Sequence, residues 1–324
     1  MARKGEILMR ERINLPMCGI AAFGKAEICT DLDKLTPDVD VAVLGAPFDM
    51  GTVFRPGARL APRALREASQ LPARPHGAYS AERDTEYLKD VKIVDCGDSD
   101  MIQSDVEYCV KNIEEDVRAI ASKGIMPLVL GGDHTITIPV IRGLDCVGDF
   151  TIVHIDAHLD WTEGPAHIRI GQGNPMRRSS ELPYVLPMVH IGIRGLGSSG
   201  ASDFADAKAH GDEIIYAREI KKYGVEAALA RIPRTERYYI TLDVDGFDPS
   251  VIPATGTPSV GGLSYYEVID ILEGVAKMGD IVGMDVVELA PNYDQNGASG
   301  IQVAQTVLEL LGYIFHEKRL RAGR

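Results

Sequence analysis

Eight runs of apolar, β-prone residues punctuate the chain: Val41–Phe48, Val91–Cys96, Met126–Leu130, Phe150–Ile155, Met188–Ile193, Glu213–Tyr216, Tyr238–Leu242 and Ile281–Val287. Between several of them lie stretches whose apolar positions recur with helical spacing, among them Asp105–Ser122, Tyr265–Met278 and Ile301–His316. Alternation of short apolar runs with amphipathic helices is the signature of a parallel sheet covered on both faces. It predicts a three-layer α-β-α fold around a mainly parallel sheet of about eight strands. Connections of very unequal length, and a first run that starts only at residue 41, favour an open sheet over a closed eight-stranded barrel. Nothing reads as a linker, repeat or low-complexity segment. Residues 1–324 are therefore expected to form one domain, with 1–40 as an N-terminal extension packing on it.

Composition narrows the function classes. At 324 residues, 45% hydrophobic and 25% charged, the chain has the profile of a soluble globular protein. A formal charge of −13 offers no basic excess to neutralise phosphates, so nucleic acid is not an expected partner. No apolar run approaches the roughly 20 residues that span a bilayer. The N-terminal stretch MARKGEILMRERINLP has basic residues but no apolar segment after them, which does not read as a signal peptide. Five cysteines, odd in number and without a CxxC pair, read as free thiols in a reducing compartment. The expectation is a cytoplasmic protein.

Candidate chemistry sits directly behind three of the apolar runs. Gly131-Gly132-Asp133-His134 follows Met126–Leu130, Asp156-Ala157-His158-Leu159-Asp160 follows Phe150–Ile155, and Asp243-Val244-Asp245-Gly246-Phe247-Asp248-Pro249 follows Tyr238–Leu242. Each has a bland reading alone: a capped glycine turn, a solvated acidic turn, a calcium-like loop. Together they would bring two histidines and at least four carboxylates to one edge of a sheet, where open α/β sheets place their sites. So much carboxylate suits two divalent ions better than one. If strand conformation persists through the motifs, alternation would make Asp156, His158 and Asp160 converge, and likewise Asp243 and Asp245. Asp133 would point away from its neighbouring ligand and act as a cap, and Asp248, before a proline, suits a turn.

With these motifs in order, alongside Gly45-Ala-Pro-Phe-Asp-Met-Gly51, Arg55-Pro-Gly-Ala-Arg59, Thr255-Gly-Thr-Pro258 before Gly261-Gly262-Leu263, and Met284-Asp-Val-Val-Glu-Leu289, the chain resembles the ureohydrolases, the superfamily of arginase, agmatinase and guanidino-acid amidinohydrolases. The N-terminal part is closer to the agmatinase branch. The resemblance implies an arginase-like fold and two divalent metal ions, Mn2+ or Ni2+. His134, Asp156, Asp160 and Asp243 would hold one ion, and Asp156, His158, Asp243 and Asp245 the other. A water activated between them would attack the central carbon of a small guanidino-type substrate, with Asp160 orienting that water and Glu288 pairing with the guanidinium. The resemblance also implies trimers or hexamers, possibly with a homologous second subunit.

One position departs from the family pattern. Where relatives carry a His-Gly pair whose histidine shuttles protons, this chain reads Gln172-Gly173, and glutamine cannot titrate. His167 could take that role, Gln172 could merely orient substrate, or the chain could be an impaired, supporting subunit. Hydrolysis of a formimidoyl group is a further alternative in the same enzyme class. Trp161, the sole tryptophan, is a candidate substrate-binding wall beside Asp160, with plain packing as its rival. Arg177 and Arg178 could bind a substrate carboxylate or simply open a helix. Leu60-Ala61-Pro62, where relatives commonly have glycine before the proline, changes a loop near the site.

Overall fold

The computed structural model describes residues 15–74, 77–164, 168–197 and 199–323. Its strands are β1 (Glu27–Ile28), β2 (Val41–Gly45), β3 (Ala78–Ser80), β4 (Thr85–Tyr87), β5 (Ile93–Asp98), β6 (Met126–Leu130), β7 (Phe150–Ile155), β8 (Val185–Ile193), β9 (Glu213–Tyr216), β10 (Arg237–Asp243) and β11 (Asp280–Val287). Nine of them form one open sheet in the order β1-β5-β2-β6-β11-β10-β7-β8-β9, and every neighbouring pair is parallel. β3 and β4 form a separate antiparallel hairpin. All eight expected runs are strands of the sheet. The ninth, β1, comes from the segment before residue 41, so that segment extends the edge of the sheet.

The helices are α1 (Ala61–Ala68), α2 (Val106–Ala121), α3 (Thr137–Arg142), α4 (Pro175–Ser179), α5 (Ala201–His210), α6 (Ala217–Tyr223), α7 (Val225–Leu229), α8 (Tyr265–Met278) and α9 (Ala298–Arg321). Two apolar cores separate them into layers. Val41, Val43, Leu128, Val153, Ile155, Ile240 and Leu242 pack with α1 and α6–α9, whereas Ala42, Leu44, Val129, Ile152 and Tyr239 pack with α2 and α3. Successive strand residues point to opposite faces, so a strand covered on both sides must be apolar throughout. β2, β6 and β7 are buried at every position, which is why their sequences lack the usual polar alternation. Helix starts follow local chemistry: Ser264 caps α8 and receives Glu267 in return, and Asp105 caps α2. The changed Leu60–Pro62 segment forms the start of α1, with Pro62 in its first turn. Among the described residues no helix is long and apolar enough to cross a membrane.

Candidate metal centre and substrate cavity

Sheet order makes neighbours of distant motifs. β6, β11, β10 and β7 are consecutive in the sheet, and their C-terminal ends carry His134, Glu288, Asp243–Asp245 and Asp156–Asp160 respectively. Gly132 lets the loop after β2 close over this edge. A Cβ there would stand 1.7 Å from the Phe48 carbonyl oxygen, which accepts the Asp133 N–H at 2.8 Å.

The six expected ligands meet. His134 Nδ1 lies 2.9 Å from Asp160, 3.1 Å from Asp156 and 3.3 Å from Asp243 carboxylate oxygens. His158 Nδ1 lies 3.1 Å from Asp245 Oδ2 and 3.5 Å from Asp156 Oδ1. Ligand atoms of His134, His154, Asp156 and Asp160 fall within 4.8 Å of one another, as do those of Asp156, His158 and Asp245. All of these residues except His158 are buried.

The convergence does not come from strand alternation. β7 ends at Ile155 and β10 at Asp243, and Asp245 sits in a short 3-10 turn. Asp160 adopts φ 52°, a left-handed conformation that costs a non-glycine residue energy. Glu288 does the same at φ 65°. Its place is fixed twice, by its N–H to the Gly132 carbonyl (2.9 Å) and by Oε1, which accepts the His134 N–H (2.8 Å). The turn at Asp160 sends its carboxylate to the cluster and the next side chain elsewhere. Trp161 is buried, edge-on to His190 at 5.8 Å and near His210 at 5.7 Å. It is a core residue and not a cavity wall, which corrects the substrate-binding expectation.

Electrostatics record how much like charge is gathered. Burial and then the Asp156 charge push Asp160 up to about 6. Burial, then Asp245 and Asp156, hold Asp243 well above the carboxylate range. Burial, followed by Asp133, raises Glu288 in the same direction. Burial would lower His134, but Asp156, Asp160 and Asp243 outweigh it and hold the ring well above its ordinary value. His158 is pushed to about 12 because Asp245 and Asp156 overcome its desolvation. Asp156 moves the other way: His154, His134 and His158 outweigh its burial and keep it well below 3.8. A divalent cation would replace protons in balancing this charge. His134 Nδ1 has no hydrogen-bond partner despite its three carboxylate neighbours, as befits a lone pair meant for a cation. The residues therefore fit a metal.

A cavity of about 400 Å3 opens over the cluster. Asp160, Asp243, His158 and Glu288 line its floor, and Met50, Val53, Ile168 and Ile170 its apolar walls. Gln172 also lines it, and its Oε1 has no hydrogen-bond partner. His167 lies outside the described residues. The Gly45–Arg59 motif builds one wall: Asp49 holds Gly57 N–H and the Arg59 guanidinium, while Arg55 reaches the carbonyls of Thr255 and Gly256. Asp133 caps the turn at His134, and Asp248 gathers Ser250, Gly261 and Gly262, so both have the architectural roles expected of them. Arg177 pairs with Asp203 and Asp206, and Arg178 with Glu163 and Glu181, which leaves neither facing the cavity.

Fold and cluster together define an α/β protein with histidines and aspartates that could hold a metal ion gathered at the edge of a parallel sheet, beside a small-molecule cavity. A model of the arginase family matches residues 39–312, and the chain belongs to that family. It is 34% identical over 326 residues to putative agmatinase 1 of Schizosaccharomyces pombe, covering 90% of this chain and 82% of that protein. It is 35% identical over 303 residues to the guanidinopropionase of Pseudomonas aeruginosa, covering 90% and 91%. A crystal structure of a hypothetical agmatinase from Burkholderia thailandensis superposes with a TM-score of 0.82 at 30% identity, covering 95% of this chain and 93% of that one. The chain is a hydrolase acting on C–N bonds in linear amidines.

Sequence reasoning missed a set of buried polar residues behind the ligands: His154, His190, Asp212, Thr241 and Asp285. The available signal was a polar residue two positions before a ligand inside an otherwise apolar strand, as at His154 and Thr241.

Proposed function

We propose that this chain is a two-metal amidinohydrolase that cleaves a guanidino C–N bond of a small linear substrate, yielding urea or a substituted urea and an amine. The observation that supports it is the meeting of two histidines and four aspartates at one strand edge, with Glu288 on the floor of the same cavity. His134, Asp156, Asp160 and Asp243 would hold one ion and Asp156, His158, Asp243 and Asp245 the second. Imidazole and carboxylate donors suit manganese and nickel alike. Ions held there supply Lewis acidity and make water nucleophilic near neutral pH.

The chain's own residues account for recognition. A guanidinium entering the cavity restores the ionised form of Glu288, and the resulting pair, shielded from solvent, aligns a planar cation through charge-assisted hydrogen bonds. Asp160, at the same floor, accepts a hydrogen bond from the attacking water and aims it. Gln172 has no titratable proton, but its free Oε1 accepts an N–H of the substrate. Met50, Val53, Ile168 and Ile170 suit a short aliphatic stretch of the substrate, which favours agmatine-like chains, guanidino acids or substituted guanidines over bulky polymers. The test is urea, ammonia and amine release by protein loaded with Mn2+ or Ni2+ from a panel of agmatine, guanidino acids, guanidine, methylated guanidines and biguanides. Release from one of these supports the reading. Silence with two metals bound supports the rival that Gln172 favours, a subunit that supports a catalytic homologue.

A further inference from the structure

Beneath the cluster a row of polar side chains crosses an otherwise apolar sheet. Strand register sets Asp285, Thr241, His154 and His190 side by side on β11, β10, β7 and β8. All four are fully buried. One arm of the row ends on His134, whose Nε2 lies 3.0 Å from Thr241 Oγ1. The other arm is longer. His154 Nε2 is 2.7 Å from Asp156 Oδ2, the Nδ1 atoms of His154 and His190 meet at 2.9 Å, and His190 Nε2 is 3.0 Å from Asp212 Oδ2. Asp212 is itself fixed by the Met188 N–H at 2.8 Å and by His210 Nδ1 at 2.7 Å.

Buried imidazoles are tolerated only when their nitrogens are satisfied, and here each nitrogen has one partner. Carboxylates only accept, so Asp212 makes Nε2 the donor of His190 and sets the plane of that ring, Asp156 makes Nε2 the donor of His154, and one further proton shared between the two Nδ1 atoms holds the rings together. The His154 ring stands at 87° to it, leaving one orientation in which both of its nitrogens are used. That ring, on Oδ2, and the His158 backbone N–H, on Oδ1, together fix the rotation of the Asp156 carboxylate, whose Oδ2 faces His134 and whose Oδ1 faces the His158 ring. A turned carboxylate would lose both. We propose that Asp212 and His190, acting through His154, are positioning residues that hold Asp156 between the two halves of the centre and so set its affinity for divalent cations. The inference rests on Asp156 being a metal ligand, as proposed above.

The test compares Mn2+ binding by calorimetry in the wild type and in Asp212→Asn, His190→Leu and His190→Gln. A glutamine amide keeps hydrogen-bonding groups toward both His154 Nδ1 and Asp212, so it serves as the conservative replacement. His190→Leu and Asp212→Asn are expected to weaken Mn2+ binding by roughly 10–100-fold, the cost seen when partners of metal ligands are lost, while His190→Gln recovers most of it. Wild-type affinity in both of the disruptive variants overturns the inference. Should they not fold, 15N spectra of the histidine-labelled wild type decide: Mg2+ or Zn2+, as diamagnetic probes, must shift His190, and an unmoved His190 signal with metal bound overturns the inference. A wild type that binds no metal defeats the functional reading itself, which separates the two failures.

Discussion

The two halves of the centre are built to different standards. His134 is 1% exposed, its Nδ1 faces three carboxylates, and Thr241 holds the ring from behind. His158 is 21% exposed and faces two carboxylates, and among the described residues no group steadies its other nitrogen. The first half is formed by side chains already ordered by the sheet, and the second by a turn at the cavity mouth. Preorganised donors bind more tightly because less freedom is lost when the ligand arrives. The deep half should therefore fill first and empty last.

Asp243 is proposed to serve both halves, and Asp243→Asn is the largest blow to the comparison. It should remove metal from both and reduce activity well beyond the roughly 100-fold typical of groups that only support ligands. Two ions per chain in that variant, by elemental analysis, would break the shared-ligand assignment. Separate deletions sharpen the contrast: His134→Ala should leave no tightly held ion, whereas His158→Ala should keep one. Equal stoichiometry in the two variants would mean that the halves are equivalent. Glu288→Gln removes no proposed ligand and keeps an oxygen that can accept the His134 N–H. It should retain both ions and lose about 10–100-fold in kcat/KM, the value of a hydrogen bond to a charged group; steady-state kinetics unchanged from the wild type would take Glu288 out of the substrate site.

The smallest effect is on the metal-free protein. Asp160 sits at about 6 in the fold against 3.8 ordinarily, so the native state binds an extra proton between those values and stability falls as pH rises through that window. Below it the sign reverses, because Asp248, lowered to about 2 by hydrogen bonds from Ser250, contributes stability that is present above 3.8 and lost as pH falls toward 2. Asp133, raised to about 6 by burial, adds to the decline, and His154, lowered to about 4 by burial, opposes it. Without metal, melting temperatures should therefore fall between pH 4 and 6 by on the order of a few degrees. Added Mn2+ should shrink the decline between pH 4 and 6, leaving the share of Asp133, which burial holds at about 6, and a decline of unchanged size in saturating metal would dissociate Asp160 from the deep half.

Legibility in the sequence followed burial. Runs such as Phe150–Ile155 announce themselves because both faces are covered and every residue must be apolar. Glu27–Ile28 could not be seen, because a two-residue, exposed edge strand needs no hydrophobic pattern at all. The residues that meet at the cluster were legible because acids and histidines directly behind apolar runs have little structural excuse. The direction of each side chain was not: a positive φ at Asp160 overrides alternation and sends Trp161 into the core. Nor was the polar row beneath the site, since His154 and Thr241 look like tolerated exceptions until strand register lines them up with Asp285 and His190.

The order of the strands also dictates when the centre can come into being. β6 and β7 are consecutive in the chain, yet β11 and β10 lie between them in the sheet. Until residues 237–287 have been made and inserted, the ends that carry His134 and Asp156 have no common wall. Spaced for two missing strands, they stand about 14 Å apart. A ribosome delivers the chain from its N-terminus, so the last third must arrive before the first ligand has its full set of neighbours. Insertion of two central strands between partners already synthesised is a long-range, slow event. In the proposed centre, cation capture would therefore come at the end of folding, after a sheet completed from its middle.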